Sequence, residues 1–143
     1  MTNDVMHVLS VALARKASDV HLSVGRPPIL RINGALVDLA QAPVLDAESC
    51  RALIYSFLSE QQRARLEEDL ELDCSFTVPN LGRFRANVLY QRGAVECALR
   101  AVPAIIPTPE SLGLGPSALG LADLPRGLVL VTGPTGSGKS TTM

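Results

Sequence analysis

Tryptophan is absent from the 143 residues and aromatic side chains make up only 3% of them. A core built from this chain therefore rests on Leu, Val, Ile and Ala. Cysteine is scarce as well: Cys50, Cys74 and Cys97 are odd in number, widely spaced and without a C-x-x-C pair. That pattern argues against a disulfide framework or a structural metal site, and for reduced thiols in a cytoplasmic protein. Neither charge is in excess, since 13 basic and 14 acidic residues leave a net charge of −1, which speaks against a nucleic-acid binder held by a basic surface. No apolar run approaches the ~20 residues that a membrane-spanning helix requires. Asp4 comes early and Arg15 and Lys16 follow the apolar stretch, the reverse of a secretory leader. The expectation is a cytoplasmic protein with no direct membrane insertion, whose membrane association, if any, runs through partners.

What is present is 47% apolar residues, in a length that allows one ordinary domain or a small domain plus part of another. Val5, Val8, Leu9, Ala12 and Leu13 recur at helical spacing, predicting an amphipathic helix from about Asp4 to Lys16 with Thr2 and Asn3 as capping candidates. From Ser18 to Val24 the period changes to two, with Val20, Leu22 and Val24 on one face and His21 on the other. No second ligand lies at metal spacing from His21, so it reads as a surface or edge histidine, and His7 as a helix-face residue. Asn33-Gly34 between Ile29–Ile32 and Ala35–Leu39 is a strong hairpin signal. Two helices follow, one from near Asp46 with Cys50, Leu53, Ile54 and Phe57 inward, the next opened by the capping box Ser59-Glu60-Gln61-Gln62. The charged run Arg63 to Glu71 reads as a solvated helix side.

Leu72, Cys74, Phe76 and Val78 alternate in the next strand; Pro79-Asn80-Leu81-Gly82 turns; Phe84, Ala86, Val88 and Tyr90 alternate in the one after. A third strand, Ala94 to Val102, follows Arg92-Gly93. A two-residue turn there pairs positions whose numbers sum to about 185, matching Val88 with Cys97, Ala86 with Leu99 and Tyr90 with Val95. The same register sets Arg85 opposite Arg100. Like charges facing each other across a ladder destabilise it unless an anion lies near, and guanidinium forks bind phosphate oxygens in bidentate fashion. Two readings stay open: the pair receives a phosphate, or both arginines splay into water or pair with Glu96 and other carboxylates.

Pro103 to Pro125 is rich in proline and glycine and reads as an ordered linker with helical turns, including a short helix after Thr108-Pro109-Glu110-Ser111. Gly127-Leu128-Val129-Leu130-Val131-Thr132 then predicts a buried strand leading into Gly133-Pro134-Thr135-Gly136-Ser137-Gly138-Lys139-Ser140-Thr141. This stretch fits G-x-x-x-x-G-K-[ST], which arises by chance in only about one in two hundred chains of this length at ordinary residue usage. Its glycines let backbone N–H groups turn inward around phosphate oxygens. Lys139 reaches the β- and γ-phosphates, and the Ser140 hydroxyl is placed for Mg²⁺. The expected cofactors are ATP and Mg²⁺, with Gly133 to Thr141 binding nucleotide. Only four residues follow Lys139, so the chain reads as the N-terminal portion of a longer protein, with the acidic Mg²⁺ partner and the water-orienting group supplied elsewhere. The expected layout is an α+β domain over 1–102, a linker over 103–126, and the first strand and phosphate loop of a truncated parallel α/β domain over 127–143.

At Ala17-Ser18-Asp19-Val20-His21-Leu22-Ser23, Gly25-Arg26-Pro27-Pro28, Gly82-Arg83-Phe84-Arg85-Ala86-Asn87 and Pro125 to Thr142 the chain resembles the type IV pilus retraction ATPases, the twitching-motility motors of the secretion ATPase superfamily. The resemblance runs nearly end to end and implies a PAS-like N-terminal domain before a RecA-like core. It further implies a homo-hexameric ring in the cytoplasm beneath the inner-membrane pilus platform machinery, with nucleotide between the two domains. In related members, N-terminal-domain arginines approach the phosphates, and by motif these are Arg85 and Arg100, making Lys139, Arg85 and Arg100 the candidate catalytic groups. The family's Walker B strand, acidic box and histidine box have no counterpart in these residues, so the fragment alone is expected to be inactive. The alternatives are an assembly or secretion ATPase of the same superfamily, another P-loop enzyme such as a kinase or transporter ATPase, or a non-catalytic interaction or sensor module.

Overall fold

The computed structural model describes residues 4–102, 107–134 and 137–143, and the chain divides into two compact units, Met1–Pro103 and Ala104–Met143. In the first unit, helix α1 spans Val5–Ala14, and its cap is Asp4, whose carboxylate accepts from the Met6 N–H. The predicted caps Thr2 and Asn3 lie outside the described residues. The helix stops short of Lys16 because Lys16 takes a left-handed φ of 54°, breaking the ladder and turning the chain toward the sheet.

Six strands follow, interrupted by two helices: β1 (Asp19–Leu22), β2 (Ile29–Ile32), β3 (Ala35–Asp38), α2 (Ala47–Tyr55), α3 (Glu60–Asp69), β4 (Glu71–Val78), β5 (Gly82–Gln91) and β6 (Ala94–Val102). They form one sheet in the order β3-β2-β1-β6-β5-β4, with every neighbouring pair antiparallel. The unit is thus α+β. Two hairpins fix most of the register. Asn33 and Gly34 have φ of 49° and 84°, and Arg92 and Gly93 have 51° and 80°, the doubly positive turns whose twist suits adjoining strands. The β5–β6 pairing is the predicted one, with Val88 opposite Cys97, Ala86 opposite Leu99, Tyr90 opposite Val95 and Arg85 opposite Arg100.

One face of the sheet carries the core. Leu9 and Ala12 of α1, Cys50 and Ile54 of α2 and Leu66 of α3 join Leu22, Leu30, Phe84, Val88 and Leu99 in one buried cluster. The phenylalanines, so few in the sequence, stack in a row: Phe57 on Phe76 at 4.4 Å and Phe76 on Phe84 at 5.7 Å between ring centres. The capping box of α3 forms as predicted, with Ser59 and Gln62 exchanging side-chain-to-backbone bonds. Val24, predicted inward, is exposed, because β1 ends at Leu22 and Gly25 turns at φ 84°. With the helices on one side, the alternate residues of β1, β2, β4, β5 and β6 present a polar face on the other.

In the second unit the described part of the linker makes turns over residues 109–113, closed by Leu114 N–H donating to Pro109 O, and a short helix α4 (Pro116–Leu119). Pro103–Ile106 lie outside the described residues. The strand predicted over Gly127–Thr132 is not formed, and Leu128 and Leu130 are 82% and 74% exposed. An extended apolar segment becomes a strand only when a neighbour supplies its ladder hydrogen bonds, and among the described residues none pairs with it. After Gly138, α5 spans Lys139–Thr142.

Candidate functional site

Strand pairing writes a row across the polar face. Arg31 stands opposite Asp19, Asp19 opposite Arg100, Arg100 opposite Arg85, and Arg85 opposite Ser75. Arg83, Asn87 and Asp73 share the face by period two. Each facing arginine has its own carboxylate. Arg100 Nε donates to Asp19 Oδ1 at 2.9 Å, Arg85 Nη2 lies 3.6 Å from Asp73 Oδ2, and Arg83 Nη2 donates to Ser75 Oγ at 2.8 Å. Among the described residues the partners are Asp19 and Asp73, and Glu96 pairs with neither arginine. Asp73 was readable from the β4–β5 turn, which sets it opposite Asn87. Asp19 was not, since its bond to Arg100 spans 81 positions and depends on the nonlocal pairing of β1 with β6.

Asp19 is the charged residue drawn furthest into the fold. Its side chain is 11% exposed, against 72% for Arg100. Its carboxylate also accepts from Ser18 Oγ at 2.8 Å and lies 3.4 Å from Arg31 Nε. Burial pushes its pKa up, but the bonds from Ser18 and Arg100 and the charges of Arg100 and Arg31 together outweigh that and hold it below the ordinary 3.8. His21, two residues on, is held below its ordinary value of 6.5, first by burial and then by Arg31, with Asp19 pulling the other way. Its Nε2 is buried without a hydrogen-bond partner. Among the described residues no group of three His, Cys, Asp or Glu side chains is placed to hold a metal ion. The cysteines are free, and burial raises the Cys50 thiol to about 11 and the Cys97 thiol further, so neither is a nucleophile at neutral pH.

Between Asp19, Asp73, Arg85, Asn87 and Arg100 lies a shallow depression of about 230 Å³. It is too small and open to enclose a nucleotide but offers guanidinium donors to an anion laid against it. Arg85 and Arg100 are 66% and 72% exposed.

In the second unit Gly133, Pro134, Ser137, Gly138, Lys139, Ser140 and Thr141 of the predicted phosphate loop are described, and Thr135 and Gly136 are not. At Gly133, with a backbone φ of 155°, a Cβ would stand 2.6 Å from Ser137 Oγ, so a side chain there would be strained and would push that hydroxyl aside. Gly138 turns at φ 88° into α5. The Lys139 ammonium donates to the carbonyls of Gly133 and Pro134 at 2.8 and 2.7 Å, folded over the loop it follows. A lysine and a hydroxyl beside a glycine-rich turn are residue types of the kind that take a magnesium polyphosphate.

The chain matches the family described as Type II/IV secretion system protein over residues 1–143. It is 44% identical, over 98% of its length, to the type IV pilus retractation ATPase PilT of Pseudomonas aeruginosa, and 35% identical, over 95%, to the type IV pilus ATPase PilU of the same organism. It spans 40% and 35% of the length of those relatives. A crystal structure of the pilus retraction motor PilT with bound ADP superposes with a TM-score of 0.83 at 49% identity, covering 97% of this chain and 40% of that one. The chain is a member of the Type II/IV secretion system protein family.

Proposed function

We propose that these residues are the nucleotide-binding front part of an ATPase motor that drives type IV pilus retraction. The observation that carries this reading is the 44% identity to PilT, sustained over 98% of the chain, beside a family match that takes in residues 133–141. The activity is proposed for a protein of the relatives' length that contains these residues. In it, Gly133 to Thr141 hold the polyphosphate of ATP, Lys139 neutralises the β- and γ-oxygens, and the Ser140 hydroxyl ligates Mg²⁺. Arg85 and Arg100 donate to phosphate oxygens, where charge develops as the γ-phosphoryl leaves. The α+β unit corresponds to the PAS-like domain of such a motor, and residues from Gly127 onward to the opening of its RecA-like core, with the segment from Pro103 to Arg126 between them. The protein works as a homo-hexamer in the cytoplasm, against the inner-membrane pilus platform.

The test is magnesium-ATP binding and turnover by the parent protein carrying Lys139→Gln. Loss of both is expected, and unchanged turnover would overturn the assignment.

A further inference from the structure

A carboxylate taken out of water is tolerated when hydrogen-bond donors and opposite charge compensate it, and Asp19 has both on the polar face: one donor to each oxygen and two arginines within 3.4 Å. Oδ1 takes the Arg100 Nε–H; Oδ2 takes the Ser18 hydroxyl and faces Arg31 Nε. Arg31 is itself tied down, Nη1 donating to Gly34 O at 3.2 Å. The bond to Arg100 has a chemical consequence. It engages Nε alone, and among the described residues the two terminal nitrogens of Arg100 make no hydrogen bond to protein. Asp19 therefore grips the guanidinium by its inner edge and leaves the outer fork directed to solvent. Arg85 differs, because its pairing with Asp73 is made by a terminal nitrogen at 3.6 Å, with both side chains more than half exposed.

We infer that Asp19 is a positioning residue for phosphoryl transfer: it orients the Arg100 fork before an anion arrives, while Arg85 is free to exchange Asp73 for phosphate. This rests on the functional reading above and adds a residue and a division of labour to it. A guanidinium fixed by one edge loses little rotational freedom when its other edge binds, and a preset donor stabilises developing charge without reorganising. A lysine at the same position has no Nε–H to be gripped.

The test uses the parent protein, comparing Asp19→Asn, Arg100→Ala, Arg100→Lys and the Asp19→Asn/Arg100→Ala double variant in steady-state ATP hydrolysis. Asp19→Asn is expected to lower kcat about tenfold with KM for ATP within about twofold. The double variant should be no slower than Arg100→Ala, because Asp19 acts through Arg100. Arg100→Lys, which keeps the charge on an exposed side chain and leaves the core untouched, should be as slow as Arg100→Ala. This arm decides the matter if Asp19→Asn fails to fold. Impaired Arg100→Ala beside normal Asp19→Asn, full activity in Arg100→Lys, or additive losses in the double variant would each overturn the positioning role and leave the site standing. Normal kcat in Arg100→Ala would remove Arg100 from the site, and this inference with it.

Discussion

At the scale of single residues, two ladder positions with like charge explain why the polar face reads as a binding surface. Arg85 opposite Arg100 is a repulsion that Asp73 and Asp19 offset, and the exposure of both arginines leaves room for a stronger anion. Arg85→Ala in the parent protein should lower kcat on the order of a hundredfold or more, the scale of a lost transition-state cation, while leaving the melting temperature nearly unchanged. Normal hydrolysis in that variant would take Arg85 out of the site. The titrating groups add a pH signature. Asp19 has its folded pKa below 3.8 and His21 below 6.5, so each binds fewer protons folded than unfolded and contributes stability that is lost on acidification. For His21 the loss begins as pH falls through about 6.5, and for Asp19 it begins near 4. Melting temperature should therefore fall from pH 7 to 5 and more steeply below 4. His21→Gln should flatten the first limb; an unchanged slope there would show that the histidine takes up its proton equally in the folded and unfolded states.

Elements formed where the signal was local. The Asn33-Gly34 and Arg92-Gly93 turns and the Ser59–Gln62 capping box were legible because each is decided within a few residues by backbone sterics or a short hydrogen bond. From the second hairpin's register came the Arg85–Arg100 juxtaposition, half of the candidate site. The other half, Asp19 beneath Arg100, was not legible, because it depends on β1 meeting β6 across the middle of the sheet, and no local rule sets that pairing. Strand β1 also ran shorter than its alternation suggested, since Gly25 ends it before Val24 can turn inward. The strand over 127–132 failed for a different reason: its apolar run describes a buried parallel strand, and such a strand exists only with its neighbours. Two substitutions test the element account. Ser59→Ala should reduce unfolding free energy by about 1 kcal/mol, the usual value of a helix cap. Leu66→Ala, at the fully buried contact of α3, should reduce it by about 2–5 kcal/mol. Chemical denaturation of both variants would show an inverted ranking if α3 were held by its cap more than by its packing.

For the whole molecule, the chain has a closed α+β unit with a continuous core and a second unit that leaves its most apolar segment in water. Leu128, Val129, Leu130 and Val131 are all exposed, a run that sequesters itself by association when no sheet receives it. The 143-residue chain is expected to self-associate at high concentration, and Leu128→Lys with Leu130→Lys should suppress the light scattering. Persistent scattering in that variant would place the adhesive surface elsewhere. The chain alone is also expected to hydrolyse no ATP, since it spans only 40% of the length of the retraction ATPase it resembles. The proposed function rests on nucleotide binding at residues 133–141, so the most direct measurement is calorimetric titration of the parent protein with magnesium-ATP, wild type beside Lys139→Gln. The account predicts saturable binding by the wild type and none by the variant, and equal binding by the two, or none by the wild type, would contradict it.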